Sequence, residues 1–168
     1  MSNIKLHVRL ARVDDEPTIM PLIDAARCVM RATGNHGQWI DGYPSSTVVH
    51  DDISSGCGYV VVPDNDSPVA YFAMYPSPEP TYANIYDGAW LDEKRPYMVV
   101  HRLGALPQVH GIFECVMDFC LEQCHNVRVD THEDNVIMLH CLKKSGFTYC
   151  GVIYLASGDK RLAFQRLI

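Results

Sequence analysis

The chain opens with IKLHVRLAR (residues 4–12), where apolar and polar side chains alternate with the two-residue period of a half-buried strand. The period then changes. Asp14 and Asp15 precede Pro17, an arrangement that caps and opens a helix. Ile19, Leu22, Ile23, Ala26 and Met30 follow at spacings of three and four, one apolar stripe that Gly34 ends. The next segment, GNHGQWIDGYPSS, is a loop by its glycines and proline, yet it carries Trp39 and Tyr43 where a plain linker carries small polar residues, which predicts a lid or pocket wall. A short helix is expected around 46–55. CGYVVVP and VAYFAMYP then flank the turn DNDS as an antiparallel hairpin.

The segment from Pro76 to Pro96 is longer than a mere connection and too aromatic for disorder, which marks it as functional; it contains Tyr82, Tyr86, Asp87 and Trp90. Strand YMVVHRLGAL, the turn PQVHG and a helix from Ile112 to Cys124 come next, the helix with an apolar face of Ile112, Phe113, Val116, Met117, Cys120 and Leu121. NVRVDT reads as a strand, HEDN as a polar elbow, and Asn135 to Lys144 as a helix. Two strands, FTYCGVIYL and RLAFQRL, close the pattern around the turn ASGDK. The order strand, helix, helix, three strands, helix, strand, helix, two strands predicts an α/β protein with a mixed sheet and local parallel pairing.

Composition narrows the function. Fourteen Lys and Arg stand against twenty Asp and Glu, a net charge of −6. No basic stripe gathers on any predicted face, so nucleic acid is not an expected partner. The N-terminus lacks the apolar core of a signal peptide and no run approaches the roughly 18 residues of a membrane span, so a cytoplasmic location is expected. The seven cysteines form an odd set without CxxC spacing, read as free thiols in a reducing compartment. His132, Glu133, Asp134, His140 and Cys141 match no compact metal motif, and adjacent His140 and Cys141 diverge by about 100° on a helix, so no metal is expected.

From LHVRLARVDDEPTIMPLID through DNVIMLHCLKKSGFTYCGVIYL the chain resembles the GNAT superfamily of acetyl-CoA-dependent N-acetyltransferases. The strongest local match is the helix led by Asn135 and followed by Lys, a small residue, Gly146, Phe147 and an apolar strand. QWIDGYP and IYLASGDKRLAFQRL resemble a bacterial branch of that superfamily. The resemblance implies a single N-acetyltransferase-like domain over 1–168, with a central mixed, mostly antiparallel sheet, splayed parallel strands and flanking helices. It implies acetyl-CoA as acetyl donor, its pantetheine arm in the gap between the splayed strands, a small-molecule or peptide amine as acceptor, and direct transfer in a ternary complex. A homodimer is a candidate assembly.

The same resemblance carries roles onto particular positions. The strand and loop before the third long helix (Leu103, Ala105, Gln108, Val109, His110, Gly111, Ile112) and Asn135 would hold acetyl-CoA. The loop departs from the family pattern, because bulky Phe113 stands where a small residue is expected. A helix N-terminus still offers free N–H donors to a phosphate. Gly111 also serves as a plain tight turn, and Asn135 as a plain N-cap. His101 matches a position where one branch of the family has a general base, and its ordinary pKa near ~6.5 suits that task; the alternative is a histidine bonded within the sheet. Leu142 occupies the usual position of a tyrosine acid, leaving Tyr149 or His140 as substitutes, although Tyr149 equally suits cross-strand packing. Trp39, Tyr43, Tyr86, Asp87, Trp90 and His132 would recognise the acceptor, an aromatic wall beside a carboxylate being suited to a cationic amine. The departures in the loop and at Leu142 leave a second class open, a non-catalytic acyl-CoA-binding regulatory module.

Overall fold

The computed structural model describes residues 4–64 and 67–168. Asn65 and Asp66, within the expected DNDS turn, lie outside the described residues. Seven strands, β1 (Leu6–Leu10), β2 (Gly58–Pro63), β3 (Ala70–Pro76), β4 (Met98–Ala105), β5 (Asn126–Thr131), β6 (Thr148–Tyr154) and β7 (Lys160–Leu167), form one sheet in the order β1-β2-β3-β4-β5-β7-β6. Helices α1 (Glu16–Ala32), α2 (Ser46–Ser54), α3 (Ile112–Gln123) and α4 (Val136–Lys144) flank it. Every neighbouring pair of strands is antiparallel except β4 and β5. A parallel pair needs a crossover, and α3 supplies it.

The two faces of the sheet are covered differently. On the first, Ile19 and Ile23 of α1 pack with Val49 of α2 against Val60, Val62 and Tyr71. On the second, the apolar face read for α3 packs as expected on Val61, Phe72, Val127 and Val129, with Phe113 pointing into the core. Asp15 does not cap α1 with its side chain. Its carboxylate instead takes two hydrogen bonds from Arg9, at 2.7 and 3.0 Å, and one from the Arg12 amide. A bidentate guanidinium outcompetes a single amide for the carboxylate.

The aromatic segment between β3 and β4 is a strap. Tyr82 and Trp90 meet at a tilt, ring centroids 5.1 Å apart, and join Val99, Cys150, Ile153 and Ala163 in a third cluster on the first face. The buried Arg128 guanidinium lies between the rings of Trp90 and Tyr97, 4.0 and 3.9 Å from their centroids. Farther along, Tyr86 and Val152 exchange both backbone hydrogen bonds at 2.8 Å. The strap thus covers part of edge strand β6, an edge otherwise open to unwanted pairing.

The parallel pair is barely a pair. Only Met98 with Val127 and Val99 with Arg128 are in register, after which the strands part. The cause lies on the other side of β4, where Tyr71 opposes Gly104 but Ala73 opposes His101, so β4 carries one extra residue. Such a bulge bends its strand. It contains Arg102 at φ 56°, a left-handed conformation that costs a non-glycine residue about 1–2 kcal/mol. Asp52, 2% exposed, takes bonds from Arg102 Nε at 2.8 Å and Nη2 at 2.6 Å and from the hydroxyls of Tyr71 and Tyr75. Burial works against the Arg102 charge, but the bonds to Asp52, with help from Tyr43, prevail, and the pKa of Arg102 is raised. Asp52→Asn is expected to lower the unfolding free energy by about 3–5 kcal/mol in urea titration, the scale for breaking a buried pair; a loss well under 1 kcal/mol would show that the bulge is held by other means.

Candidate active site

Where β4 and β5 part, a cavity of about 640 Å³ opens between them. One wall is Val100, His101, Arg102 and Leu103; the opposite wall is Val129, Asp130 and Thr131. Strand edges that have lost their partner leave backbone N–H and C=O groups to be satisfied by something else. Met138 of α4, the loop between α1 and α2, Leu155, Ser157 and Asp159 of the β6–β7 turn, and Arg161 of β7 add to the lining.

His101 faces this space. Its Nε2 lies 3.1 Å from Oε2 of Glu79, a strap residue. Glu79 also takes bonds from Thr81 through N and Oγ1. The His101 bond, with help from Thr81, outweighs burial and holds the Glu79 carboxyl down to about 2. An ionised carboxylate only accepts, so Nε2 carries the hydrogen and, in the neutral ring, Nδ1 keeps a basic lone pair. The other ring neighbours of His101 are Tyr75 and Tyr82, at 6.5 and 6.4 Å.

The loop carrying Trp39 and Tyr43 forms a wall that α1 holds shut. Arg31 donates to the carbonyls of Asn35, Gln38 and Trp39; Arg27, one turn earlier, donates to those of Gly42, Tyr43 and Pro44. Trp39 is buried against Gly104 of β4, and the Tyr43 hydroxyl accepts from Arg102 at 3.0 Å. The loop also reaches α4. Gln38 Oε1 accepts from Asn135 Nδ2 at 3.0 Å, while Asn135 Oδ1 caps α4 by accepting from the Met138 amide at 3.2 Å. His132 stands just outside the cavity lining. Its Nδ1 accepts from the Asp134 amide, and its Nε2 is so close to Gly37 that a Cβ there would sit 2.6 Å away.

Among the acceptor-recognition candidates, the fold brings only Trp39 and Tyr43 to the cavity. Trp90 is spent on the third cluster and on Arg128, Tyr86 stacks edge-on with Tyr154 at 5.4 Å, and Asp87 turns at φ 56° beside the Tyr86–Val152 bridge. Tyr149 is half-exposed on β6 and packs on Phe164, so it takes the packing alternative rather than reaching the cavity, and His140 is exposed on α4. Leu142 is fully buried in the main core. Of the donor-binding candidates, Leu103 and Asn135 line the cavity, and Ala105 packs on the core beyond it. Gln108, Val109, His110, Gly111 and Ile112 form the turn into α3, where His110 and Gly111 border a separate shallow groove beside β1 and Ile112 is buried. Gly111 sits at φ 82°, so the left-handed turn alone accounts for a glycine there. No side chain caps α3.

Glu79, Asp130 and Arg161 line the cavity without having been singled out from sequence. A signal existed for Glu79 alone, a lone acid between two prolines in a segment already marked as functional.

Solved structures similar to this one include acetyltransferases. A GNAT-family acetyltransferase from Streptococcus agalactiae is 34% identical, with 99% of each chain covered and a TM-score of 0.87. The fold alone is shared with an aminoglycoside N(6′)-acetyltransferase from Legionella pneumophila, at 13% identity, covering 99% of this chain and 94% of that one, TM-score 0.65. It is shared likewise with the NatC complex bound to Gag peptide and CoA, at 13% identity, covering 98% and 99%, TM-score 0.62. No family model and no curated protein matches the sequence. The chain belongs to the GNAT family of acetyltransferases.

The depressed Glu79 carboxyl makes a prediction about pH. A lowered folded-state pKa gives stability that is complete above the ordinary value of 4.5 and is lost as pH falls toward about 2. Glu79→Gln should flatten the acid limb of the stability curve across that window. An unchanged limb in denaturant titrations at pH 5, 4 and 3 would show that the contact with His101 contributes nothing.

Proposed function

We propose that the protein transfers an acetyl group from acetyl-CoA to a small amine directly, in a ternary complex. The observation that carries this reading is the cleft itself, a parallel pair that parts after two residue pairs and sets His101, oriented by Glu79, beside the gap. The residues there suit a pantetheine arm. Thr131 Oγ1 is enclosed without a partner at the end of β5, and a buried hydroxyl calls for one. The uncapped start of α3 offers amide donors to phosphate, with Gln108, Val109, His110, Gly111 and Ile112 shaping the approach.

Acetyl-CoA supplies a thioester whose carbonyl carbon the amine attacks, so that a C–N bond forms as the C–S bond breaks. An alkylammonium has a pKa near ~10, so at pH 7 about one molecule in a thousand is neutral. His101 Nδ1 is the atom assigned to take the proton, directly or through a water, while Glu79 holds the ring in place through Nε2. Leu142 puts no acid at the usual position, and a thiolate with a pKa near that of cysteine, ~8.5, leaves without one. Direct transfer is favoured because no cysteine lines the cavity among the described residues. Trp39 and Tyr43 form the acceptor wall, with Asn135 at the donor side.

Two measurements test this reading. Acetyl-CoA should raise the melting temperature with the logarithm of its concentration above Kd; a flat response through millimolar CoA removes the donor. His101→Gln should lower kcat/KM by roughly a hundredfold at pH 7 with unchanged acetyl-CoA affinity, the usual scale of general-base loss. The deficit should shrink as pH approaches the amine's own pKa. A ratio near one at pH 7 assigns His101 to structure.

A further inference from the structure

Arg161 is the cation in the cavity that the protein leaves unbalanced. It is 7% exposed and lines the cavity at the start of β7. Its one hydrogen bond runs from Nη1 to the neighbouring Lys160 carbonyl at 2.9 Å, and among the described residues no carboxylate lies within ion-pair reach. Its remaining donors are not among the sealed, unpartnered atoms of the interior, so they open into the cavity. The other enclosed arginines, half-buried Arg102 and buried Arg128, have visible tasks. Arg102 is neutralised by Asp52, and Arg128 is stacked between two rings. A guanidinium withdrawn from water with neither a counter-charge nor aromatic rings about it is costly, so a place that keeps one is prepared for an anion.

The anion can be located by face. Arg161 lies directly across from Ile153, which belongs to the cluster containing Tyr82 and Trp90. Cross-strand partners share a face, so Arg161 is on the same side of the sheet as Tyr82, whose ring lies 6.4 Å from that of His101. The α3 start, where phosphates of the donor would sit, covers the opposite face. A pantetheine arm carries no charge, which leaves the acceptor as the source of the anion. The acids near Arg161 are engaged with neutral donors: Asp130 accepts from the Tyr82 hydroxyl at 2.6 Å, and Asp159 from the Ser157 hydroxyl at 2.9 Å. Their negative charge, with that of Glu79, suits the ammonium end of a substrate and disfavours a doubly charged phosphate.

We propose that Arg161 selects acceptors in which the reacting amine is accompanied by a carboxylate, so that the acceptor is an amino acid or a compact amino-acid-like molecule. The inference rests on the acetyl-transfer reading above and narrows its substrate class. The planar guanidinium takes the carboxylate through two parallel N–H bonds, and the amine is thereby turned toward His101.

The test measures thiol release from acetyl-CoA with the standard amino acids, each beside its decarboxylated amine, and with O-phosphoethanolamine. At least one amino acid should exceed its decarboxylated amine by roughly a hundredfold in kcat/KM, within the range for losing one partner of a buried, hydrogen-bonded charge pair. Arg161→Gln should erase that preference, raising KM for the acid far more than KM for the plain amine while leaving KM for acetyl-CoA nearly unchanged. Arg161→Lys, which keeps the charge without the fork, should recover part of it. Amines acetylated without regard to a carboxylate would overturn the inference and leave acetyl transfer standing, as would Arg161→Gln depressing all acceptors equally, which would make Arg161 a balance for Asp130. Preference for O-phosphoethanolamine would overturn the carboxylate assignment. If neither glutamine nor lysine variant folds, the wild-type comparison decides. If acetyl-CoA binds but nothing turns over, calorimetry with the same acids and amines decides, and absence of carboxylate-dependent binding overturns it. Failure of acetyl-CoA to bind at all would instead remove the acetyl-transfer reading.

Discussion

The site depends on one buried carboxylate. Asp52 sits on a helix that contributes nothing else to the cavity, yet its two oxygens gather Tyr71, Tyr75 and Arg102 beneath β4. Without them, Arg102 has no reason to adopt a left-handed backbone, and without that backbone β4 has no extra residue to bend it away from β5. The opening of the sheet, the place of His101 in the cavity wall and the wall formed by Tyr43 all descend from that contact. A buried ion pair is weak evidence for stability in general; here it is better read as a device that fixes the shape of a strand. Arg102 adds a second connection, since its free donor holds the Tyr43 hydroxyl, so one guanidinium joins the bulge to the loop that closes over it.

The fold was legible because it is written in periods. Strands and helices alternate in hydrophobic pattern from Leu6 to Leu167, and their boundaries shift by about two residues at most. The site was legible only where a residue type is itself unusual. A histidine in the middle of an apolar strand and a tryptophan in a glycine loop both proved to line the cavity. Trp90, equally conspicuous, did not, because composition cannot distinguish an aromatic that builds a wall from one that fastens a loop. Arg161 escaped for a different reason. In RLAFQRL the alternation assigns Arg161 and Gln165 to solvent, but the strap covers that face too, and both are buried. Alternation reports which residues share a face and is silent on whether a later segment will cover it.

Asp52, and the role of Glu79, were out of reach for a third reason. Each acts through a partner far along the chain, Glu79 through His101 and Asp52 through Arg102. A single sequence contains no trace of such a pairing, because the geometry that creates it belongs to the folded sheet. Neighbours in sequence supply only the local setting: the prolines around Glu79 and the helical position of Asp52.

The strap between β3 and β4 has a mechanical consequence. A sheet joined at its centre by two residue pairs is, in effect, two plates meeting at a narrow hinge, β1 to β4 on one side and β5 to β7 on the other. The strap leaves the first plate at Pro76 and crosses to the second. There the Leu91 amide donates to Gln165, Arg128 donates to the Asp92 carbonyl, and Tyr86 meets Val152 before the chain returns to Met98. It acts as a suture laid over the joint. Its length is set by the span of three strands it must traverse and come back from, and its aromatics are the anchors where it is tied down. A shorter connection would leave the plates free to rotate about the hinge, and a cleft of fixed width would no longer exist.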